Sequence, residues 1–503
     1  MKALHRSSLA LAFGLGSSAP LLHAQEPLLL ELDGERLASF AADVDGDGSD
    51  EWIAAVRRVD AAGRLQRVLR VFRFEHTDAG ERSQAHDTLL PDDACAIACA
   101  DALALPGREL LIFDGQGLRL HPLTPSREPA QAELRWHPQG RTLLEAASFF
   151  ADADPTALLV WPYLRERERA LDLLVPLAFG YARLRGTSAT GLRVARRWDL
   201  AAAIGARRVW DGALFTAERE LPLPTLADLD GDGEDELVVE GAGDGALWLC
   251  TQEAPPERWP LDLGASGAGN GALRKSFRRL VDLDGDARAD LLSWVVRGDA
   301  EKGFAFETEL EIRRNLGGLP PRFAEPSRLR FRGAGTVAAL PDLDGDGRAD
   351  LVLVRCENPA AAIVGGLATL RTAIYLARED GAYPSQPELE LASRLPLSAL
   401  REEELRAGIL PSALRFDRDL DGDGTHDLLE LDPRRGIRVL RGALERREHD
   451  GRSWTTYRLL EPAWFAWEGN ASFETEVLVR DGKALALVVP QEREARRLAL
   501  PRP

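Results

Sequence analysis

The sequence predicts an all-β protein built as a β-propeller of seven or eight four-stranded blades. Three observations lead to this fold class. A nine-residue frame with acids at positions 1, 3, 5 and 9 recurs along the chain, as in Asp43–Glu51 and Asp228–Glu236. A short, continuous apolar run follows each frame, such as Leu351–Val354, and such runs fit strands buried on both faces. The frames recur about every 60 residues, enough for the four strands of one blade.

The first 24 residues are typical of a cleaved secretory signal. Lys2 and Arg6 give a positive start, Leu9–Gly16 is a short apolar core, and small residues precede Gln25. This core is much shorter than the roughly 20 residues that cross a bilayer, and no later stretch is apolar enough to span one. We therefore expect residues 1–24 to be removed. Residues 25–503 would then form the propeller of an exported protein, secreted or periplasmic.

Eight frames divide the rest of the chain into units, starting at 43, 101, 164, 228, 282, 342, 419 and 477. The frames at Asp101, Leu164 and Val477 have lost most of the acids but keep the turn or the apolar strand that follows it. Alternating segments such as Phe304–Arg313 are typical of outer strands with one buried face. The last unit is too short for four strands, so we expect residues 27–32 to supply the missing strand and close the ring.

Two further patterns bear on the elements within the units. The long interval between the sixth and seventh frames contains Leu397–Arg406, which predicts a short helix inserted between strands. Trp52 and Trp294 fall on the apolar strand after a frame, where core packing is expected. Trp464 and Trp467 are candidates for an exposed face that stacks on sugar rings, with core packing as the alternative.

Four cysteines, Cys95, Cys99, Cys250 and Cys356, leave two alternatives open. In an oxidising compartment they can form disulfides in any of three pairings, or they can be small buried thiols. Cys95 and Cys99 lie on one predicted strand about 13 Å apart, too far to bridge each other.

The five intact frames predict metal sites, because four carboxylates within nine residues repel one another unless a cation lies between them. Calcium fits such a set, since it binds six to eight oxygen ligands with flexible geometry, whereas magnesium demands a stricter octahedron. Glycines at positions 4 and 6 allow the positive φ angles that let the acids converge, although Ala287 replaces the second glycine of the frame at Asp282. An acidic turn exposed to solvent explains one copy but not five with the same spacing. The expected ligands of about five Ca²⁺ ions are Asp43, Asp45, Asp47, Glu51, Asp228, Asp230, Asp232, Glu236, Asp282, Asp284, Asp286, Asp290, Asp342, Asp344, Asp346, Asp350, Asp419, Asp421, Asp423 and Asp427.

The sequence offers no catalytic constellation. It contains neither a Gly-x-Ser-x-Gly elbow nor a His-Glu-x-x-His motif, and His426, at position 8 of the frame at Asp419, is expected to face solvent. A net charge of −18 argues against nucleic acid as a partner. We expect a monomer that is not an enzyme and has no bound organic cofactor.

The Asp-x-Asp-Gly-Asp-Gly-x-x-Asp frames, followed by runs such as Leu237–Val239, resemble FG-GAP/VCBS repeats over residues 27 to about 490. This resemblance implies a propeller like the N-terminal domain of integrin α subunits, with calcium in its loops. It also implies an adhesion-like binding module with a protein or glycan ligand. Similar propellers occur in carbohydrate-active proteins, so a lectin or a polysaccharide lyase is the alternative.

Overall fold

The computed structural model describes residues 26–501 except 78–79, 106, 124–133, 150–157, 168–169, 202, 204, 211–214, 221–223, 242–246, 252–253, 260–271, 300–304, 357–365, 380, 397–412, 450–451 and 482. Within these residues the regular structure is β, with 37 strands in ten sheets. Eight of the sheets hold the four antiparallel strands of a propeller blade. No helix in the described part of the chain is long and apolar enough to cross a bilayer.

The strands are numbered along the chain. Blade 1 contains β2 (Glu35–Ala42), β3 (Glu51–Val59), β4 (Leu65–Thr77) and β5 (Gly80–Leu89). Blade 2 contains β6 (Ala96–Ala100), β7 (Glu109–Asp114), β8 (Gly117–His121) and β9 (Arg141–Glu145), and β10 (Leu159–Val160) pairs in parallel with β6. Blade 3 contains β11 (Leu164–Arg167), β12 (Ala170–Leu177), β13 (Gly180–Gly186) and β14 (Arg193–Asp199). Blade 4 contains β17 (Pro224–Ala227), β18 (Glu236–Glu240), β19 (Leu247–Cys250) and β20 (Glu257–Trp259).

Blade 5 contains β21 (Ala272–Val281), β22 (Asp290–Asp299), β23 (Ala305–Arg313) and β24 (Ser327–Arg332). Blade 6 contains β25 (Ala334–Ala339), β26 (Leu351–Cys356), β27 (Leu367–Tyr375) and β28 (Leu389–Pro396). Blade 7 contains β29 (Leu414–Arg418), β30 (Asp427–Asp432), β31 (Gly436–Leu440) and β34 (Phe465–Trp467). Blade 8 contains β35 (Glu476–Arg480), β36 (Lys483–Pro490), β37 (Glu494–Ala499) and β1 (Leu28–Glu31). Two hairpins stand outside the blades, β15 (Gly205–Trp210) with β16 (Phe215–Glu220), and β32 (Gly442–His449) with β33 (Arg452–Leu459).

The ring closes as the sequence predicts, and it has eight blades rather than seven. β1, from the start of the described chain, pairs antiparallel with β37, with Leu28 opposite Arg497 and Glu31 opposite Glu494. The N-terminal strand therefore completes the sheet formed by the last three strands. This pairing leaves blade 8 with the same four strands as its neighbours and covers the edge of β37.

The second strand of each blade carries the apolar run that follows the frame. Leu351 and Leu353 of β26 pack in one core cluster, and Val352 and Val354 pack in two others on the opposite face. All four side chains are buried, so the continuous run is explained by core on both faces of the blade. The core of the protein consequently lies between neighbouring blades.

The tryptophan and cysteine predictions have mixed outcomes. Trp52 and Trp294 are buried, as expected. Trp467 is only 7% exposed and belongs to a core cluster against which Trp464 also packs, so the exposed sugar-stacking face is wrong for this pair. The four cysteines are buried in four different core clusters, which fits the alternative of small buried thiols. The helix expected at Leu397–Arg406 lies outside the described residues.

Candidate metal centres

Each acidic frame connects the first strand of a blade to the second. In the intact frames, for example, residues 43–51 link β2 to β3 and residues 342–350 link β25 to β26. The loops therefore lie at one face of the ring, and neighbouring loops touch. The position-8 N–H of Ala289 donates to Asp228 O (2.7 Å), and that of Ala349 donates to Leu283 O (3.1 Å).

The local backbone of the five loops is the one that the sequence predicts. Position 4 has positive φ in every loop, and position 6 has φ between 69° and 93°. Ala287 adopts this conformation as well (φ 69°), at a cost of about 1 kcal/mol for a residue with a Cβ. In all five loops the position-6 N–H donates to the position-1 carboxylate at 2.7–3.0 Å. The first acid is thereby fixed at the centre of the turn.

The structure brings together the acids at positions 1, 3 and 9, with one carboxylate oxygen from each within 4.8 Å of the others. The five groups are Asp43, Asp45 and Glu51; Asp228, Asp230 and Glu236; Asp282, Asp284 and Asp290; Asp342, Asp344 and Asp350; and Asp419, Asp421 and Asp427. The position-5 acids (Asp47, Asp232, Asp286, Asp346 and Asp423) each accept the N–H of position 7 at 2.7–2.9 Å. They are not part of these groups and stay predicted ligands.

The position-9 carboxylate is buried in all five loops. One of its oxygens accepts the N–H of position 2 at 2.7–3.2 Å in all five loops. Where position 9 is aspartate, the other oxygen accepts the N–H two residues beyond the third strand of the blade: Asn315 to Asp290 (2.7 Å), Ala377 to Asp350 (2.8 Å) and Gly442 to Asp427 (2.8 Å). This acid therefore ties the loop to the third strand of its blade.

Burial raises the pKa of these acids, and the neighbouring aspartates raise it further. The pKa of Glu51 rises to about 8, that of Asp290 and Asp350 to about 7, and that of Asp427 to about 6. The pKa of Glu236 likewise rises to about 7. Each loop thus concentrates negative charge that is costly without a compensating cation.

The carboxylate oxygens of these loops fit a hard divalent cation as ligands. Asp284 Oδ1 and Asp344 Oδ1, both at position 3, are buried and have no hydrogen-bond partner in the described structure. Guanidinium groups approach other oxygens of the loops, with Arg73 3.2 Å from Asp45 Oδ2 and Arg314 3.4 Å from Asp284 Oδ2. Calcium prefers carboxylate oxygens as ligands, and oxygens such as Asp284 Oδ1 and Asp344 Oδ1, which have no hydrogen-bond donor in the described structure, are free to bind it.

The three degenerate frames form no such three-acid group among the described residues. In the frame at Asp101 the scaffold survives, since Ala102 N donates to Glu109 Oε2 (2.7 Å), but Asp101 itself is exposed. The frame at Val477 keeps its turn, with Asp481 at φ 50°. The frame at Leu164 is replaced by a short connection between β11 and β12.

Two interactions of the loops are not evident from the sequence. His426 is half-buried rather than facing solvent, because its Nδ1 lies 2.8 Å from Phe416 O and its carbonyl accepts the hydroxyl of Tyr457 (2.7 Å). Asn315, 2% exposed, donates through Nδ2 to Leu229 O (2.7 Å) in the loop of blade 4 and to Ala289 O (3.0 Å) in the loop of blade 5. Neither Tyr457 nor Asn315 lies in a repeated motif that would single it out.

Comparison with known proteins leaves the family assignment as a resemblance. No family model matches this chain, and no curated protein matches it. A solved lectin structure from Agrocybe aegerita, described as recognising non-reducing terminal N-acetylglucosamine, is 14% identical, with a TM-score of 0.36. The match covers 87% of this chain and 90% of that one. The TcdB2–TccC3 structure is 12% identical, with a TM-score of 0.17 and coverage of 97% of this chain and 33% of that one. Similarity this low carries no inference about a ligand.

Proposed function

We propose that this protein is an exported, calcium-binding β-propeller that acts as a binding module for a protein or glycan ligand. The observation that carries the proposal is the fivefold repetition of a three-carboxylate group, built the same way in blades 1, 4, 5, 6 and 7. A repeated set of converging carboxylate oxygens favours a bound cation, and the FG-GAP/VCBS-like frames favour calcium over magnesium.

The proposed ions lie next to the connections between the third and fourth strands of the blades, where we expect a ligand to bind. The position-9 carboxylates hold the first residues of the connection from the third to the fourth strand, through Asn315 N in blade 5 and Gly442 N in blade 7. Gly442 begins the hairpin β32–β33, and Leu316–Arg322 forms a turn closed by the N–H of Leu316 donating to Arg322 O (2.7 Å). An ion that orders the loop would therefore order these surface connections. Binding of a macromolecular ligand is expected to depend on calcium for this reason.

The test is a ligand screen performed with and without the ion. Calcium-loaded protein is applied to immobilised glycans and to a panel of candidate proteins, and the screen is repeated after exhaustive dialysis against EGTA. Metal content per chain is measured on both samples. The proposal predicts about five calcium ions per loaded chain and a ligand that is bound only by that form.

The outcomes separate the classes of function. A bound glycan that is recovered intact supports a lectin. Release of unsaturated sugar ends that absorb ultraviolet light shows a lyase and contradicts the binding module. A protein partner without glycan binding supports the adhesion-like role. Absence of calcium from the loaded chain overturns the metal assignment itself.

A further inference from the structure

Blade 3 retains one acid of the frame but not the loop. β11 ends at Arg167 and β12 begins at Ala170, so the nine-residue acidic turn of blades 1, 4, 5, 6 and 7 has no equivalent here. Asp172, which the sequence spacing puts at position 9, lies two residues inside β12, opposite Arg165 of β11, and is only 9% exposed. A buried carboxylate is strongly unfavourable unless an opposite charge and hydrogen bonds compensate for its lost hydration.

The guanidinium of Arg183 supplies that charge. Arg183 lies on β13 and is 1% exposed. Its Nε is 2.9 Å from Asp172 Oδ1 and 3.0 Å from Oδ2, and its Nη2 also donates to Oδ2. Arg185 adds a further donor, with Nε 3.3 Å from Asp172 Oδ2. Both oxygens of the carboxylate are therefore engaged by cationic donors.

The same guanidinium reaches into blade 4. Arg183 Nη1 donates to the backbone oxygen of Asp235 (2.5 Å). Asp235 is position 8 of the acidic frame at Asp228. The Asp235 side chain is 3% exposed and accepts Nη1 of Arg165 from β11 (2.8 Å). Arg165 Nη2 also donates to Leu226 O (2.7 Å) on β17. Arginines of blade 3 thus join Asp172 to the loop and first strand of blade 4.

We propose that the Arg183 guanidinium takes, at Asp172, the place of a bound metal ion. It supplies the positive charge that this buried carboxylate requires and links blade 3 to blade 4 without a metal. A guanidinium suits this role because it is charged at every relevant pH and its donors fit carboxylate and carbonyl oxygens in one plane. This assignment rests on the contacts of Arg183 itself. It is independent of which ion, if any, the acidic loops bind.

The test compares Arg183→Met with Asp344→Ala, each beside the parent protein. The midpoint of thermal unfolding, Tm, is measured in EGTA and in millimolar calcium. Arg183→Met should lower Tm in both conditions, because it leaves the buried Asp172 with only the single donor of Arg185 and removes no proposed metal ligand. Asp344→Ala should lower Tm mainly in calcium. A Tm of Arg183→Met equal to that of the parent in EGTA overturns the proposal.

Two further variants keep the test decisive. Asp172→Leu combined with Arg183→Met removes both buried charges, so it should recover part of the Tm that Arg183→Met loses. No recovery would mean that the two residues are not coupled, which also overturns the proposal.

If Arg183→Met does not fold, Arg183→Lys replaces it in the comparison. Lysine keeps the charge but cannot span Asp172 and Asp235 O together, so an intermediate loss of Tm in EGTA is expected, and a Tm equal to that of the parent contradicts the assignment.

Discussion

At the scale of single residues, position 9 of the frame has two roles that the sequence shows only in part. The spacing predicts it as a ligand. The structure adds that Asp290, Asp350 and Asp427 each join their loop to the third strand of their blade through a second oxygen. This contact with the third strand depends on where a distant N–H lies in space, so no local sequence pattern predicts it. The Arg183–Asp172 pair escapes sequence reasoning for the same reason, since it depends on the register of β12 against β13, which sets Asp172 opposite Arg185.

The division of the frames into filled and empty sites can be checked by metal content. Asp344→Ala should reduce bound calcium by one ion per chain, because the position-3 carboxylate with the unpartnered oxygen is removed. Asp101→Ala should leave the ion count unchanged, because Asp101 is exposed and belongs to no three-acid group. Metal content is measured on both variants and the parent after equilibrium dialysis. Loss of calcium from Asp101→Ala would show that the degenerate frames also bind ions.

The raised pKa values predict how stability depends on pH. In the unfolded chain these acids titrate near 4, whereas without an ion the position-9 acids of the folded chain titrate between about 6 (Asp427) and about 8 (Glu51). The folded state therefore binds protons more tightly, and the stability that this contributes below pH 4 is lost as pH rises through 6 to 8. Calcium binds the deprotonated form and should oppose this loss.

The measurement is Tm of ion-stripped protein and of calcium-loaded protein between pH 5 and pH 8. We expect the Tm of the stripped protein to fall across this range and the increment due to calcium to grow. The stripped and loaded samples share the same buffer at each pH, so general effects of the buffer cancel in the increment. An increment that does not change with pH would mean that the buried position-9 acids do not take part in ion binding.

At the scale of elements, the blades could be predicted because their sequence pattern repeats. The elements that interrupt the repeat could not be predicted. The frame and the apolar run are local patterns, so they locate the first two strands of most units, and the shortage of strands at the end of the chain predicts β1. By contrast, Leu159 and Val160 form an extra strand parallel to β6, and hairpin β32–β33 departs from blade 7 before its fourth strand. These elements depend on contacts between distant segments, and their sequences do not distinguish them from ordinary linkers.

The closing strand offers a test with a matched control on adjacent residues. Leu30 is 1% exposed and packs in the core cluster between blades 8 and 1, whereas Leu29 is 49% exposed. Leu30→Ala should lower the free energy of unfolding by about 2–5 kcal/mol, the usual cost of emptying a buried leucine site. Leu29→Ala should change it by no more than about 0.5 kcal/mol. Urea unfolding of the two variants decides this, and equal effects would mean that β1 does not seal the ring.

At the scale of the whole molecule, the acidity of the chain is concentrated on one face. The five intact loops contain 23 of the 81 acidic residues and only two arginines, Arg288 and Arg348. Their net charge is therefore more negative than the −18 of the entire chain. Since each loop joins a first strand to a second strand, the ring places these charges on one face, with the loops of blades 4 to 7 next to one another. Five Ca²⁺ ions would bring the net charge from −18 to −8, with all of the neutralisation at that face.

This arrangement predicts that folding stability depends on calcium as a property of the whole ring. Ions that bind the folded state but not the unfolded chain stabilise it by mass action, by about 2.7 kcal/mol for each site at a concentration 100 times its Kd. We therefore expect Tm to be clearly higher in millimolar calcium than in EGTA, with magnesium at the same concentration giving a smaller increment. The increment should shrink in Asp344→Ala and stay unchanged in Asp101→Ala. An identical Tm in calcium and EGTA would contradict the calcium assignment, since five clusters that converge in the folded state cannot bind ions with useful affinity and leave its stability unaltered.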